Sequence, residues 1–275
     1  MRPLKLNVDL QFAAKTHPGM VRHHNEDSIT TVPECGLAIL ADGMGGYNAG
    51  EVASGMATAV LRNDLLSDLN EWYRELTRRG TAKLHALLQA RVTGANTAIF
   101  QSSQTQSQYA GMGTTLAMAL FRDSMLTTAH IGDSRIYRLR GEVYEQITRD
   151  HSLLQDQIDA GMVTPEQAKL SMNKNLVTRA LGVDPEVEAE IHDFETQAGD
   201  IYLLCSDGLS DMVPDEEVGE TLQMLGSNLE LAASTLIQQA NDYGGRDNVS
   251  VILVKVQPNS NASRGLFGRF INWLK

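Results

Sequence analysis

With 275 residues, 42% of them hydrophobic, the chain is long enough to bury a large core. Its 23 Lys and Arg against 34 Asp and Glu leave a net charge of −11, which repels a nucleic-acid backbone or an anionic membrane from the molecule as a whole. No apolar run approaches the ~20 residues of a membrane-spanning helix; residues 1–9 lack the apolar stretch of a signal peptide, and Cys35 and Cys205 lie in apolar runs, so buried thiols and a cytoplasmic location are expected rather than a disulfide framework.

Leu6, Val8, Leu10 and Phe12 alternate with polar residues and predict a first half-buried strand, with further strands over residues 28–32 and 36–41. From Asn48 the period becomes helical through Val52, Met56, Ala59 and Val60, and a second helix follows through Leu84, Leu88, Val92, Ala95 and Ile99. Residues 102–108 read as a polar connection. A strand meander is expected over 114–120, 125–131, 135–139 and 143–147, turning at Arg122-Asp123 and Arg140-Gly141. The mostly polar residues 151–180 predict a surface excursion of short helices, with Thr164-Pro165-Glu166 starting one of them. A buried strand over 201–205, helices over 215–225 and 229–240, and a β-branched strand over 250–256 complete one α+β domain of about 255 residues.

Several catalytic designs are excluded by what is missing. No Ser has Gly two residues before and after it, no Arg follows either Cys by six positions, and there is no Walker A loop. Gly43-Met44-Gly45-Gly46 resembles a dinucleotide loop, but Asn48 stands where the third Gly belongs and Asp42 would repel a pyrophosphate. The informative residues are acids at the ends of strands that must be buried. Asp42 follows residues 37–41, Asp133 follows 127–132, Asp207 follows 201–206, and Asp247 precedes the last strand. Asp-Gly pairs are common turns, yet four acids closing or opening apolar strands, with few Lys or Arg beside them, call for a compensating cation. An oxygen-only ligand set favours Mg²⁺ or Mn²⁺ over Zn²⁺. Glu26 and Asp27 add two acids before another strand, and Arg22, four residues upstream of Glu26, is suited to a surface ion pair or, beside such a cluster, to clamping a phosphate.

At this point the chain resembles the metal-dependent serine/threonine protein phosphatases (PPM, or type 2C), in particular their compact bacterial members. The matching segments are Gly19-Met20-Val21-Arg22-His23-His24-Asn25-Glu26-Asp27-Ser28, Ala41-Asp42-Gly43-Met44-Gly45-Gly46 with Ala49-Gly50-Glu51, Gly111-Met112-Gly113-Thr114-Thr115, His130-Ile131-Gly132-Asp133-Ser134-Arg135, Cys205-Ser206-Asp207-Gly208-Leu209-Ser210-Asp211, and Gly245-Arg246-Asp247-Asn248-Val249-Ser250. The resemblance implies a central antiparallel β-sandwich flanked by helical layers, a catalytic domain over 1–256, and hydrolysis of phosphoserine and phosphothreonine in proteins by a water that two Mn²⁺ or Mg²⁺ ions activate. By match, Asp42 bridges the two ions, Asp207 and Asp247 hold one, and Glu26 with the Gly43 carbonyl serves the other. Asp27 matches a neighbouring acid that holds water, and Arg22 the phosphate-binding arginine. Asp133, with Asp207 and Asp211, matches a weaker third metal site, and the excursion after Asp150 matches a mobile flap.

One position departs from the pattern. Some members carry a His after Asp-Gly that protonates the leaving alkoxide, a step worth ~10²–10⁴-fold; here Met44 cannot donate a proton, leaving a water at the third metal as substitute, ahead of His23, His24 and His151. Phosphorylated proteins, including a bacterial Ser/Thr kinase and its substrates, are the partners the resemblance implies, acted on by a monomer. A catalytically silent scaffold that binds phosphoproteins is the alternative; a metal-dependent nuclease lacks a basic groove for its polyanion. Residues 257–275 read as a polar linker and a short basic amphipathic tail, in which Leu266, Phe267, Phe270, Ile271 and Leu274 share a helical stripe with Arg264, Arg269 and Lys275 nearby; the tail docks on a membrane or partner, or packs on the domain itself.

Overall fold

The computed structural model describes residues 9–46, 49–72, 81–164, 167 and 176–258. Two antiparallel sheets lie face to face. One holds, in spatial order, β1 (Asp9–His17), β11 (Val249–Gln257), β10 (Ile201–Cys205), β7 (Arg135–Arg140) and β8 (Val143–Gln146). The other holds β2 (Asp27–Val32), β3 (Leu37–Met44), β5 (Leu116–Arg122), β6 (Met125–Ile131) and β9 (Glu190–Glu195), with the two-residue β4 (Gly113–Thr114) paired to the end of β3.

Side-chain alternation sorts the apolar residues into three layers. Leu37, Ile39 and Ala41 of β3 face outward and pack with Ala53, Leu61 and Leu65 of α1 (Ala49–Trp72) and Leu84, Leu88 and Ile99 of α2 (Thr81–Thr105). Ala38 and Leu40 face the other way, into the layer between the sheets, with Phe121, Ile136, Tyr202, Leu204, Ile252 and Val254. Beyond the first sheet, Leu203, Cys205, Val251 and Leu253 pack with Val218 and Leu222 of α5 (Asp215–Leu225) and Leu229, Ala233 and Leu236 of α6 (Leu229–Asp242). Strands buried on both faces lack polar alternation, which is why β3, β10 and β11 read as continuous apolar runs. The α+β sandwich with outer helical layers is thus as expected. Cys35 and Cys205 are buried free thiols, and no helix among the described residues is long and apolar enough to cross a membrane.

The differences lie at element ends. β1 runs to His17, because its register with β11 is unbroken from Asp9 opposite Gln257 to His17 opposite Val249; residues 6–8 lie outside the described residues. The polar linker expected from residue 257 starts later, since Gln257 is still paired. β3 continues through Asp42 and Gly43 to Met44, which Thr114 and Gly113 of β4 pair in place of a turn. The strand expected over 114–120 is accordingly split between β4 and β5 at Thr115. α2 continues to Thr105, absorbing half of the expected polar connection, and residues 107–109 add a single 3₁₀ turn. In the excursion, α3 (Leu153–Asp159) starts at Ser152, whose hydroxyl caps the Gln155 amide; at the helix start expected from Thr164, its hydroxyl accepts the Gln167 amide at 3.3 Å and the Gln167 side chain accepts the Thr164 amide at 3.0 Å, while Pro165, Glu166 and the tail over 259–275 lie outside the described residues. β9 (EIHDFE) carries no apolar run and gave no strand signal; it forms by pairing along β6 at the sheet edge.

Candidate active site

The acids gather where both sheets end. Asp27, opening β2, and Asp42, near the end of β3, are direct cross-strand neighbours. Asp207 opens the one-turn α4 (Asp207–Ser210) immediately after β10, and Asp247 stands just before β11. Backbone pairing therefore delivers carboxylates from both sheets to one place. Ser206 fastens the two: its hydroxyl donates to Asp27 Oδ2 at 2.8 Å and accepts the Ser250 amide at 3.0 Å. Asn248 does the same for the loop before β2, accepting the Glu26 amide at 2.7 Å and donating to the carbonyls of Pro18 and His24. Thr115 fixes Asp42, accepting its amide at 2.9 Å while its own amide donates to the Asp42 carbonyl.

Two glycines allow the closeness. A Cβ on Gly43 would lie 2.2 Å from the Gly50 carbonyl oxygen, and one on Gly50 would lie 2.7 Å from Glu26 Oε2. Glu26 therefore sits over the first turn of α1, where the positive end of the helix dipole favours a carboxylate. Arg22 lies at the surface of the site, its Nη2 donating to Asp247 Oδ2 at 2.7 Å with the side chain 54% exposed.

The electrostatics match a cluster built for cations. Desolvation, with Asp27, Asp207, Asp133 and Asp247 as like charges, pushes the Asp42 carboxyl well above its ordinary range. Asp207 is raised by burial and by Asp133, Asp211 and Asp247. Burial lifts Asp27 and Asp133 to about 6, the latter helped by Asp150 and Asp211. Burial also raises Glu26 against the pull of Arg22. One oxygen of Asp27, Oδ1, is buried with no hydrogen-bond partner. A buried acceptor without a donor, within a group of acids that disfavour each other's ionisation, fits hard divalent cations bound by oxygen.

The acids singled out in the sequence and Arg22 thus reach one end of the sandwich. Asp27, Asp207, Asp133 and Asp247 act as charges on Asp42, Asp211 acts on Asp133 and Asp207, Asp247 and Arg22 act on Glu26, and Arg22 meets Asp247. Gly43 follows Asp42 in β3. Met44 lies against Gly113, its Cγ 3.5 Å from where a Cβ would stand there. His23 and His24 are exposed. His151 is buried with both ring nitrogens engaged, by the Gly132 amide and by Glu190, so it is not free to serve a leaving group. Asn248, Ser206 and Thr115 were not singled out; an Asn beside a strand-opening Asp was the one local signal.

This fold and site define a metal-dependent protein phosphatase. The profile of the family described as protein phosphatase 2C matches residues 21–241. The serine/threonine phosphatase Stp of Listeria monocytogenes is 40% identical over 245 residues, covering 88% of this chain and 94% of its own. The crystal structure of the serine/threonine phosphatase PstP of Mycobacterium tuberculosis, 40% identical, superposes with a TM-score of 0.80 over 90% of this chain and 99% of that one. The PstP catalytic domain in complex with two manganese ions, also 40% identical, gives 0.78 over the same shares. The chain belongs to the protein phosphatase 2C family, among the bacterial serine/threonine phosphatases.

Proposed function

We propose that this site hydrolyses phosphoserine and phosphothreonine in proteins with two Mn²⁺ or Mg²⁺ ions, and that it reverses the action of a bacterial Ser/Thr kinase. The observation that carries the reading is the meeting of Asp42, Asp207 and Asp247 from two sheets, where Asp207 and Asp247 oppose ionisation of Asp42, beside an accessible arginine. Asp42 would serve both ions, Asp207 and Asp247 would hold one, and Glu26 with the Gly43 carbonyl would hold the other; Asp133, Asp207 and Asp211 would hold a weaker third. Bound there, the ions supply a water activated near neutral pH and neutralise phosphoryl charge. The two manganese ions of the PstP structure support this ligand reading by likeness.

The chain's own residues supply the rest. Arg22 exchanges its contact with Asp247 for the substrate phosphate, orienting it with paired N–H donors. Asp27, held by Ser206, keeps one buried oxygen to accept from a water within the site. Met44 has no proton to give, so the leaving alkoxide takes its proton from solvent at the Asp133 side. Residues 1–257 are the catalytic unit of a cytoplasmic monomer, with the residues after Gln257 an appended linker and tail.

Turnover of a phosphoserine peptide tests this. Activity is expected to vanish in excess EDTA and return with Mn²⁺, and Asp207→Asn and Asp247→Asn to remain folded and inactive. Arg22→Ala should raise KM about 10–100-fold, the loss of a charged hydrogen bond of ~1.5–3 kcal/mol. Full turnover in EDTA contradicts the cation reading; metal-dependent peptide binding without turnover favours the silent scaffold.

A further inference from the structure

We propose that His151 is a positioning residue for Asp133: one tautomer of its imidazole fixes the Gly132–Asp133 turn and thereby the weaker third cation site. The proposal deepens the functional reading above and rests on it for the cation alone.

The turn joins β6 to β7 through Gly132, Asp133 and Ser134. Gly132 has φ +102, and a Cβ there would lie 2.7 Å from Thr115 Cγ2, so the backbone is left-handed and tightly backed. One residue takes both polar groups of Gly132. The His151 amide donates to the Gly132 carbonyl at 2.7 Å, and the Gly132 amide donates to His151 Nδ1 at 3.2 Å. Accepting at Nδ1 requires a lone pair, which puts the ring proton on Nε2. Nε2 faces Glu190 Oε2 at 3.1 Å, and a carboxylate, which only accepts, selects that tautomer. Burial, which leaves His151 2% exposed, favours the neutral ring this requires.

The other end of the turn is held from beneath. His130 Nε2 lies 2.8 Å from the Ser134 carbonyl, which it can meet only as donor, and its ring rests on that of His151 with centroids 5.0 Å apart. The two histidines thus grip the residues on either side of Asp133. His151 is also the root of the excursion. Its carbonyl accepts the Thr178 amide at 2.8 Å, Ser152 bridges to Val177, and the preceding Asp150 is forked by Arg135. The two ends of the excursion, strand β9 and the Asp133 turn therefore meet at one residue, His151.

His130, His151 and Glu190 also bring three ligand-type atoms within 4.8 Å of one another. A cation on His151 Nε2 would shift the ring proton to Nδ1, where it would face the Gly132 N–H, donor against donor. The clamp and a cation at that ring exclude each other, and the observed hydrogen bonds are those of the clamp.

The test uses His151→Phe, which removes the acceptor and keeps a ring, and His151→Asn, whose carboxamide oxygen can take the place of Nδ1. In the metal-free full chain, nitrogen shifts of His151 are expected to report the Nε2–H tautomer. Exchange of the Gly132 amide should speed up at least about tenfold in the Phe variant and be restored in the Asn variant. On Mn²⁺ titration the weakest site should lose about tenfold in affinity in His151→Phe, the lower end of the 10–100-fold range for groups behind metal ligands, and recover in His151→Asn, with tighter sites unchanged. An Nδ1–H tautomer, a ring signal that moves on adding Zn²⁺, or an unchanged Gly132 exchange rate in folded His151→Phe would overturn the proposal. Should the Phe variant not fold, the wild-type tautomer decides. A wild type without a third Mn²⁺ counts against the cation reading, and the clamp then stands or falls on the tautomer and the Gly132 amide.

Discussion

Asp42 is held in the folded chain at a cost that cations offset. Its carboxyl titrates well above 3.8 because it is desolvated and faces other acids, so the folded, metal-free protein keeps a proton that the unfolded chain has released. Stability linked to such a group falls as pH rises from about 4 through its raised folded value, because the native state binds more protons than the unfolded state. Asp27 and Asp133, lifted to about 6, act in the same direction. Asp200 and Glu190, which partners hold below their ordinary range, act in the opposite one. A difference between variants isolates the site. In EDTA, Asp42→Asn is expected to melt above the wild type at pH 7.5 and with it at pH 4, where the wild-type carboxyl is protonated. Thermal melts at the two pH values check this; a variant that melts lower at pH 7.5 would mean that Asp42 is not strained by its neighbours.

Between elements, the site depends on contacts only glycine permits. A Cβ on Gly208, in the one-turn helix that begins with Asp207, would lie 1.9 Å from the Asn248 carbonyl oxygen in the loop that carries Asp247. Gly208→Ala is expected to cost about 1–3 kcal/mol, or roughly 2–12 °C in Tm at ~2–4 °C per kcal/mol for a chain of this order, with weakened Mn²⁺ binding. Gly94 has open space around it in the middle of α2, so Gly94→Ala is expected to raise Tm slightly, by about 0.5–1 kcal/mol in stability. Differential scanning calorimetry of both variants separates packing from propensity, and equal shifts would contradict the close contact. The same elements mark how far the sequence is legible. Strands buried on both faces, such as Leu37–Met44 and Ile201–Cys205, are plain from their apolar runs, and the acids at their ends stand out because charge is costly there. Strand ends are less legible: Asp42-Gly43 has turn chemistry, but Asp42 pairs with Asp27 and Gly43 with Thr114, some 70 residues away. Charged β9 gave no signal, as edge pairing along β6 supplies what its composition lacks. Asn248, Ser206 and Thr115 are ordinary polar residues until the fold brings their partners across 222, 179 and 73 positions.

At the scale of the molecule, the site exists only when the sandwich is closed, since Asp27 and Asp42 belong to one sheet while Asp207 and Asp247 flank strands of the other. Cations that bind the folded site stabilise the whole fold by mass action. The net charge of −11 includes this cluster, so the metal-free acids repel an incoming phosphate, and bound cations would be needed to attract it. The central claim is that these converging carboxylates form a two-cation centre on which phosphate-ester hydrolysis depends. It is tested most directly by following bound Mn²⁺ and phosphoserine-peptide hydrolysis in a single titration of the metal-free protein. The account predicts negligible turnover without bound metal and activity that rises as the second equivalent is taken up, with Asp42→Asn binding neither ion tightly. Full activity with no metal bound, or two tightly bound ions in folded Asp42→Asn, would contradict it.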